Sequence, residues 1–233
     1  MVSAYLRRGL AAGLLAGLLA GLFAFLVGEP ALDRAIALEE ASADAHHEEV
    51  FSRTTQKVGL FFATGLFGTT VGGVFGIVNA FFRERLAAVS DLWRSISLSG
   101  AIFLGAFMIP FLKYPAQPPS VGDPSTIRER TVAYFTLVAL SLLAIVAAWL
   151  AARTLKRRGI DAPRRRLFVG VGLVLAMAVL FLALPAGPSA GEFPAGVMWA
   201  FRLSSVGTQI VFWAALGLLF GWLCERARRK GMA

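Results

Sequence analysis

The chain has 233 residues, 57% of them hydrophobic and 16% charged, against roughly half apolar and a quarter charged in an ordinary soluble domain. Its apolar residues gather in long uncharged runs, which excludes a disordered chain, a coiled coil and a secreted disulfide scaffold. A net charge of +9 would point to nucleic acid in a soluble protein, but here the charges mark the ends of apolar runs.

Six uncharged stretches follow one another, at residues 9–28, 58–82, 95–112, 131–152, 167–191 and 203–224. Trimmed at their Gly/Pro-rich ends, each keeps about 18–25 residues able to cross a hydrocarbon core. They predict an all-α fold, a polytopic membrane helix bundle with six transmembrane helices. Residues 1–233 form one integral membrane domain in this reading. The first stretch follows Arg7 and Arg8 like a signal peptide; cleavage would leave five spans. Its length and its glycine pattern favour a retained span.

The Lys and Arg residues are unevenly placed between the spans. Sixteen fall on the side that carries both termini and seven on the other. The positive-inside rule therefore puts both termini in the cytoplasm, N-in and C-in. Ten of the 14 acidic residues lie on the opposite side, giving a net −3 outside and +12 inside. The basic runs Arg153 to Arg158, Arg164 to Arg166 and Arg226 to Lys230 then read as topology anchors near anionic lipid. Nucleic acid is not expected as a partner.

The first span carries Gly9, Gly13, Gly17 and Gly21 at strict four-residue spacing. Such a stripe lets a neighbouring backbone approach closely. Shorter ladders follow at Gly68, Gly72 and Gly76, and at Gly217 and Gly221. Helix packing within the chain and self-association are both open uses. No ionisable residue lies near the middle of any span, which disfavours a central carboxylate of the kind proton-driven carriers use. Milder polar groups remain: Thr64, Thr69, Thr70 and Asn79 in the second span, and Ser204, Ser205, Thr208 and Gln209 in the sixth. These either bond to neighbouring turns and helices or line a path. No GxxxxGK[ST] loop is present, so ATP hydrolysis by that route is excluded. The lone Cys224 excludes an internal disulfide and a cysteine metal cage, and reads as an apolar filler.

Three loops assigned to the outside hold the unusual sequence: 29–57, 113–130 and 186–202. The first contains Glu29, Asp33, Glu39, Glu40, Asp44, His46, His47, Glu48 and Glu49. A break at Gly28-Glu29-Pro30, then an Ala/Leu/Glu-rich segment over 31–50, predicts a helix started by Pro30. At 100° per residue Asp33, Glu40, Asp44 and His47 fall within roughly 60° of one another, and Glu39 and His46 about 20° apart on another face. Carboxylates with imidazole suit a divalent cobalt, nickel, zinc or manganese ion, so Asp33, Glu39, Glu40, Asp44, His46 and His47 are the metal candidates. The alternative is a solvated acidic face.

The second outer loop has five prolines between Pro110 and Pro124. They exclude helix and fix an extended path, fit for a lid, a docking surface or plain packing. Lys113 and Tyr114 sit at its start as interface anchors, and Asp123-Pro124 reads as an N-cap and first helical residue for the fourth span. In the third loop a helix is expected to start after Glu192-Phe193-Pro194. Trp199 fits an aromatic belt, and Arg202 calls for a carboxylate partner, with Glu29 and Asp123 as candidates. Glu29, Lys113, Tyr114, Asp123, Arg202, Asn79 and Gln209 are thus the candidates for an outer gate or path.

These segments resemble the probable cobalt transporter subunit family, CbtA. The likeness lies in Gly28-Glu29-Pro30 with Asp33-Arg34-Ala35-Ile36 and Glu39-Glu40, in Arg53 with Gln56-Lys57, and in Pro110-Phe111-Leu112-Lys113-Tyr114-Pro115. It continues through Pro118-Pro119, Val121-Gly122-Asp123-Pro124, and Phe193-Pro194 with Trp199 to Leu203. The resemblance implies a bacterial inner-membrane subunit for cobalt uptake linked to cobalamin supply. It also implies a small histidine-bearing membrane partner, CbtB, with cobalt(II) or another divalent cation as transported ligand rather than a tightly bound cofactor. Two other classes compete: a non-transporting scaffold, recognised by loss of assembly with metal binding unaltered, and a membrane-embedded metal-dependent enzyme. No nucleophile–base pair or complete catalytic ligand set is visible, so the chain is not expected to be an enzyme.

Overall fold

The computed structural model describes residues 2–40, 51–83, 85, 90–119, 121–187, 191 and 193–231. Among these the regular structure is helical, without strands. The α-helices are α1 (Val2–Phe23), α2 (Glu29–Glu40), α3 (Arg53–Phe82), α4 (Asp91–Phe103), α5 (Ile109–Lys113), α6 (Ile127–Arg157), α7 (Ala162–Ala183) and α8 (Ala195–Arg229). Six continuous helical runs are long and apolar enough to cross a membrane: Val2–Glu40, Arg53–Phe82, Asp91–Lys113, Ile127–Arg157, Ala162–Ala183 and Ala195–Arg229. The six expected spans are therefore present; most extend beyond their apolar runs, while the fifth stops at Ala183, short of the run to residue 191.

Two proline sites differ from the sequence expectation. The chain does not break at Gly28-Glu29-Pro30; a π-helical turn over Ala24–Gly28 joins α1 to α2, with the Glu29 N–H donating to the Ala24 carbonyl. Proline inside a helix lacks the N–H for its own turn and crowds the carbonyl four residues back. Widening the preceding turn relieves that conflict and keeps the helix running. The same device recurs over Leu104–Met108, two residues before Pro110, where Ile109 N–H donates to the Leu104 carbonyl. Pro110 is thus helical, as are the residues up to Lys113; Pro124 opens a short 3₁₀ turn, and the described residues 114–119 and 121–123 between them are irregular.

The chain forms two compact units. One comprises residues 1–100, 117–120 and 193–233; the other comprises 101–116 and 121–192.

In the first unit α1 and α3 are interlocked through glycine. A methyl group built on Gly13 would overlap the Gly68 carbonyl oxygen, and one on Gly9 would overlap that of Gly72. Reciprocally, Gly68 abuts the Gly13 carbonyl, Gly72 that of Gly9, and Gly76 that of Tyr5. Each oxygen occupies the direction of a missing Cβ, so it faces a glycine α-hydrogen. Such Cα–H···O contacts contribute about 0.5–1 kcal/mol each. The ladder is therefore filled by the chain's own second span, and this face is not open to self-association. Gly217 and Gly221 are filled likewise, by Ser99 and Ile96, and by Leu92 and Ser95, of α4. Around the interlock, Phe220 of α8 meets Phe75 edge-on at 5.2 Å and Tyr5 at 6.0 Å.

The second unit is more open. The π turn near Gly105 lies under Leu142 and Ile145 of α6, and α6 lies along α7. No residue of α7 is fully buried.

The interlock sets a sharp mutational contrast. Gly13→Ala must separate two backbones and should cost on the order of 1–3 kcal/mol, lowering the thermal unfolding midpoint in detergent. Gly59→Ala on α3, where an added methyl meets nothing within 4 Å, should be neutral or stabilising by up to ~1 kcal/mol. Equal midpoints for the two variants would contradict the interlock.

Candidate functional site at the mouth of the first two spans

Helix α2 leaves the apolar part of the first span, and α3 returns to it, so the ends of the first loop are brought side by side. Ser52 starts α3 as an N-cap, accepting from the Thr55 N–H. This places Arg53, Gln56 and Lys57 on one face of the first turns, three and four residues apart. Opposite them stand Glu29 and Asp33, four apart on α2.

Arg53 is the centre of the cluster. One guanidinium nitrogen donates to Glu29 Oε2 at 2.6 Å and to Asp33 Oδ1 at 2.6 Å, and Nε reaches Asp33 Oδ1 at 3.2 Å. Lys57 Nζ donates to Asp33 Oδ2 at 2.9 Å and lies 4.0 Å from Glu29 Oε2. Gln56 Oε1 accepts from the remaining Arg53 nitrogen, and Gln56 Nε2 donates to the Phe51 carbonyl at 2.9 Å. Two carboxylates and two cations balance, so the cluster is neutral overall. The Glu29 side chain keeps only 11% of its exposure and Asp33 keeps 44%, so the buried partner of Arg53 is Glu29.

The metal candidates therefore separate. Asp33 is held by Arg53 and Lys57, and a metal ion there would have to displace both. Glu39 is half-buried and Glu40 exposed at the end of α2. Asp44, His46 and His47 lie outside the described residues. Among the described residues no group of three His, Cys, Asp or Glu side chains is placed to hold a metal ion.

The other loop candidates also find local partners. Arg202 donates to Gln117 Oε1 at 3.2 Å and lies over the Trp199 ring at 5.5 Å. Glu29, one of its two expected carboxylate partners, is bonded to Arg53. In the second unit Lys113 Nζ donates to the Phe181 carbonyl at 2.6 Å, and the Tyr114 hydroxyl to the Pro185 carbonyl at 2.7 Å. A cation at the C-terminal end of α7 satisfies orphan carbonyls and complements the helix dipole. Burial pushes the Tyr114 phenol above its ordinary range. Asp123 Oδ1 accepts the Ser125 N–H at 2.8 Å, so it caps a 3₁₀ turn over Pro124–Thr126; α6 itself starts at Ile127 with Thr126 as its N-cap, three residues later than the Asp123-Pro124 start expected. That bond, with Arg130 nearby, holds the Asp123 carboxyl below its ordinary range. The loop before the sixth span ends as expected, with α8 beginning at Ala195 after Pro194.

Within the spans most hydroxyls bond to their own helix. Thr64, Thr69 and Thr70 donate to the carbonyls of Leu60, Gly65 and Leu66, and Ser204 and Thr208 to those of Phe201 and Ser204. Gln209 Oε1 accepts from the Trp213 indole at 3.1 Å. Asn79 differs: it is buried and donates across to Ser95 of α4 at 3.3 Å, and Ser95 donates to the Asp91 carbonyl at 2.9 Å. Beside it is a group the sequence reading passed over. Asp91 pairs with Arg94 at 2.5 Å and with Arg228 at 4.0 Å, and Glu225 accepts the Leu92 N–H at 3.3 Å. The available signal was Asp91 and Arg94 three apart at the foot of an apolar run.

Arg53→Gln should lower stability by on the order of 1–2 kcal/mol, because Glu29 loses its near partner in a partly exposed network. Lys57→Gln should cost less, and Arg53→Lys should not restore stability, since one ammonium cannot reproduce the guanidinium fork. Thermal unfolding of the three variants checks this ranking, and a neutral Arg53→Gln contradicts it. A depressed folded-state pKa means that the Asp123 cap is complete above the ordinary carboxylate range and is lost as pH falls through the depressed value. Carbon-13 titration of Asp123 should give a midpoint below that of a free aspartate; one at or above it would refute the cap.

The family model described as probable cobalt transporter subunit (CbtA) matches residues 2–225. Comparison with curated proteins and with solved structures gave no match. The match spans nearly the whole chain, from the first turn of α1 to the last turns of α8. The chain belongs to the CbtA family of probable cobalt transporter subunits.

Proposed function

We propose that this multi-pass membrane chain takes up cobalt(II), or a similar divalent cation, across the bacterial inner membrane to supply cobalamin synthesis. Both termini face the cytoplasm, and a small histidine-bearing partner of the CbtB type works with it. The family match over residues 2–225 carries the reading. The outer side is slightly acidic by charge count, which concentrates cations there.

In this reading the first loop gathers the ion. Glu39, Glu40, Asp44, His46 and His47 supply carboxylate and imidazole donors of intermediate hardness, suited to cobalt(II). Asp33 and Glu29 act instead as a latch with Arg53 and Lys57, tying both ends of that loop at the mouth. Arg202 with Gln117, and Lys113, Tyr114 and Asp123, give the other outer segments fixed shapes. Asn79 and Gln209 are the polar groups of the spans assigned to the path. The ion is cargo, no resident cofactor is required, and the chain performs no covalent chemistry. A scaffold role is less well supported, because the glycine ladders that would recruit other subunits are filled within the chain.

Replacing Glu40, Asp44 and His47 together by Ala should raise the cobalt concentration needed for half-maximal uptake while leaving membrane insertion intact. Uptake of labelled cobalt by cells at limiting metal measures it. An unchanged concentration dependence would reject the loop as the collecting site, and lost complex assembly with normal metal binding would favour the scaffold.

A further inference from the structure

The second unit carries a feature that cation uptake does not use. Between α6 and α7 runs an open apolar groove of about 240 Å³. Its walls are Ala148, Ala151 and Leu155 of α6 and Phe168, Gly172 and Ala176 of α7. Small side chains leave the trough, and an added methyl at Gly172 meets nothing within 4 Å. The turn that joins the two helices is strongly basic. Residues 153–166 hold seven Lys or Arg side chains and a single carboxylate, Asp161. Asp161 caps α7 by accepting the Arg164 N–H, and its carboxylate lies 3.6 Å from Arg164 Nε.

Groove and charge are in register. On α6 the lining stripe continues one turn beyond Leu155 to Arg158, within roughly 40° of its centre. On α7 the stripe runs back from Phe168 to Arg165, within roughly 10° of its centre. Arg165 donates to the Ile160 carbonyl at 3.3 Å, which holds it over the turn. Arg153 and Arg157 fall on the far side of α6, and Arg153 lies over the Trp149 ring at 4.8 Å. By this register the basic end of the trough carries Arg158, the C-cap of α6, and Arg165 in the first turn of α7.

We infer that the α6–α7 groove binds an anionic phospholipid, one acyl chain lying along the trough and the phosphate between Arg158 and Arg165. The charge complementarity selects this occupant. A partner helix would fill the apolar trough but would not answer the cationic mouth, whereas a phosphodiester with an attached hydrocarbon chain answers both. Guanidinium suits phosphate oxygens because its planar fork donates in pairs. Basic pockets between membrane helices recognise anionic headgroups on the same physical grounds.

Native mass spectrometry of the intact detergent-purified chain tests this, with equimolar phosphatidylglycerol and phosphatidylcholine of identical acyl chains as probes. The wild type should retain phosphatidylglycerol with a preference of about tenfold or more. Arg158→Gln with Arg165→Gln should abolish that preference, and Arg153→Gln with Arg157→Gln, equal in charge removed, should preserve it. Gly172→Leu, or Ala148→Leu if the first misfolds by circular dichroism, should fill the trough and lower retention of both lipids. Equal retention of the two lipids by the wild type would overturn the proposal, as would equal loss of preference in both arginine pairs. A dimer that Gly172→Leu converts to monomer with lipid retention unchanged would assign the groove to a second copy instead.

Discussion

The contact on which the rest depends is the backbone-to-backbone seat of α1 on α3. In a bilayer, lipid tails are as apolar as leucine, so helices gain little from burying hydrocarbon against one another. What holds them is close packing and weak polar contact, and both need the absence of side chains. Gly9 and Gly13, with Gly68, Gly72 and Gly76, supply that absence in register, each carbonyl oxygen set against the opposite glycine. Gly17 continues the seat against the Thr64 carbonyl, while Gly21 meets the Thr64 side chain. Once the two spans are locked, the chain segments that leave them are held side by side.

That consequence organises the mouth of the first two spans. Glu29 and Asp33 on one helix, and Arg53 and Lys57 on the other, meet because the spans beneath them are at minimum separation. Charges of both signs there give a neutral tie instead of an acidic patch, closing the base of the loop between α2 and α3. The opposite end of the same unit repeats the logic, with Asp91 and Arg94 closing α4 against Arg228 and Glu225. Between the two ends, hydroxyls bonded to their own helix leave few uncommitted polar groups, as a lipid environment demands.

The sequence was most legible where the cause is local. Six spans follow from uncharged length, Asp123 caps by its own geometry, and the α8 start after Pro194 needs only a proline. The glycine spacing announced a close approach but not its partner, since a four-residue stripe reads the same whether the other helix is in the chain or in another copy. Arg53 was visible as a motif residue, yet its pairing with carboxylates twenty and twenty-four positions away depends on the interlock. The run through Glu29-Pro30 was misread because proline ordinarily marks a boundary, and one wide turn removes the conflict without ending the helix. Asn79 and Thr64 looked alike as polar residues in one span, but Thr64 faces the glycines of α1 and bonds to its own helix, whereas Asn79 faces Ser95 of α4 and shares a bond with it.

The central claim is that this chain is required for cobalt to enter the cell. Cobalt accumulation in cells deleted for the protein, with other importers and expression controlled, tests it most directly. The account predicts a fall in accumulation at limiting cobalt that is restored by re-expressing the chain. Accumulation equal to that of undeleted cells would contradict it.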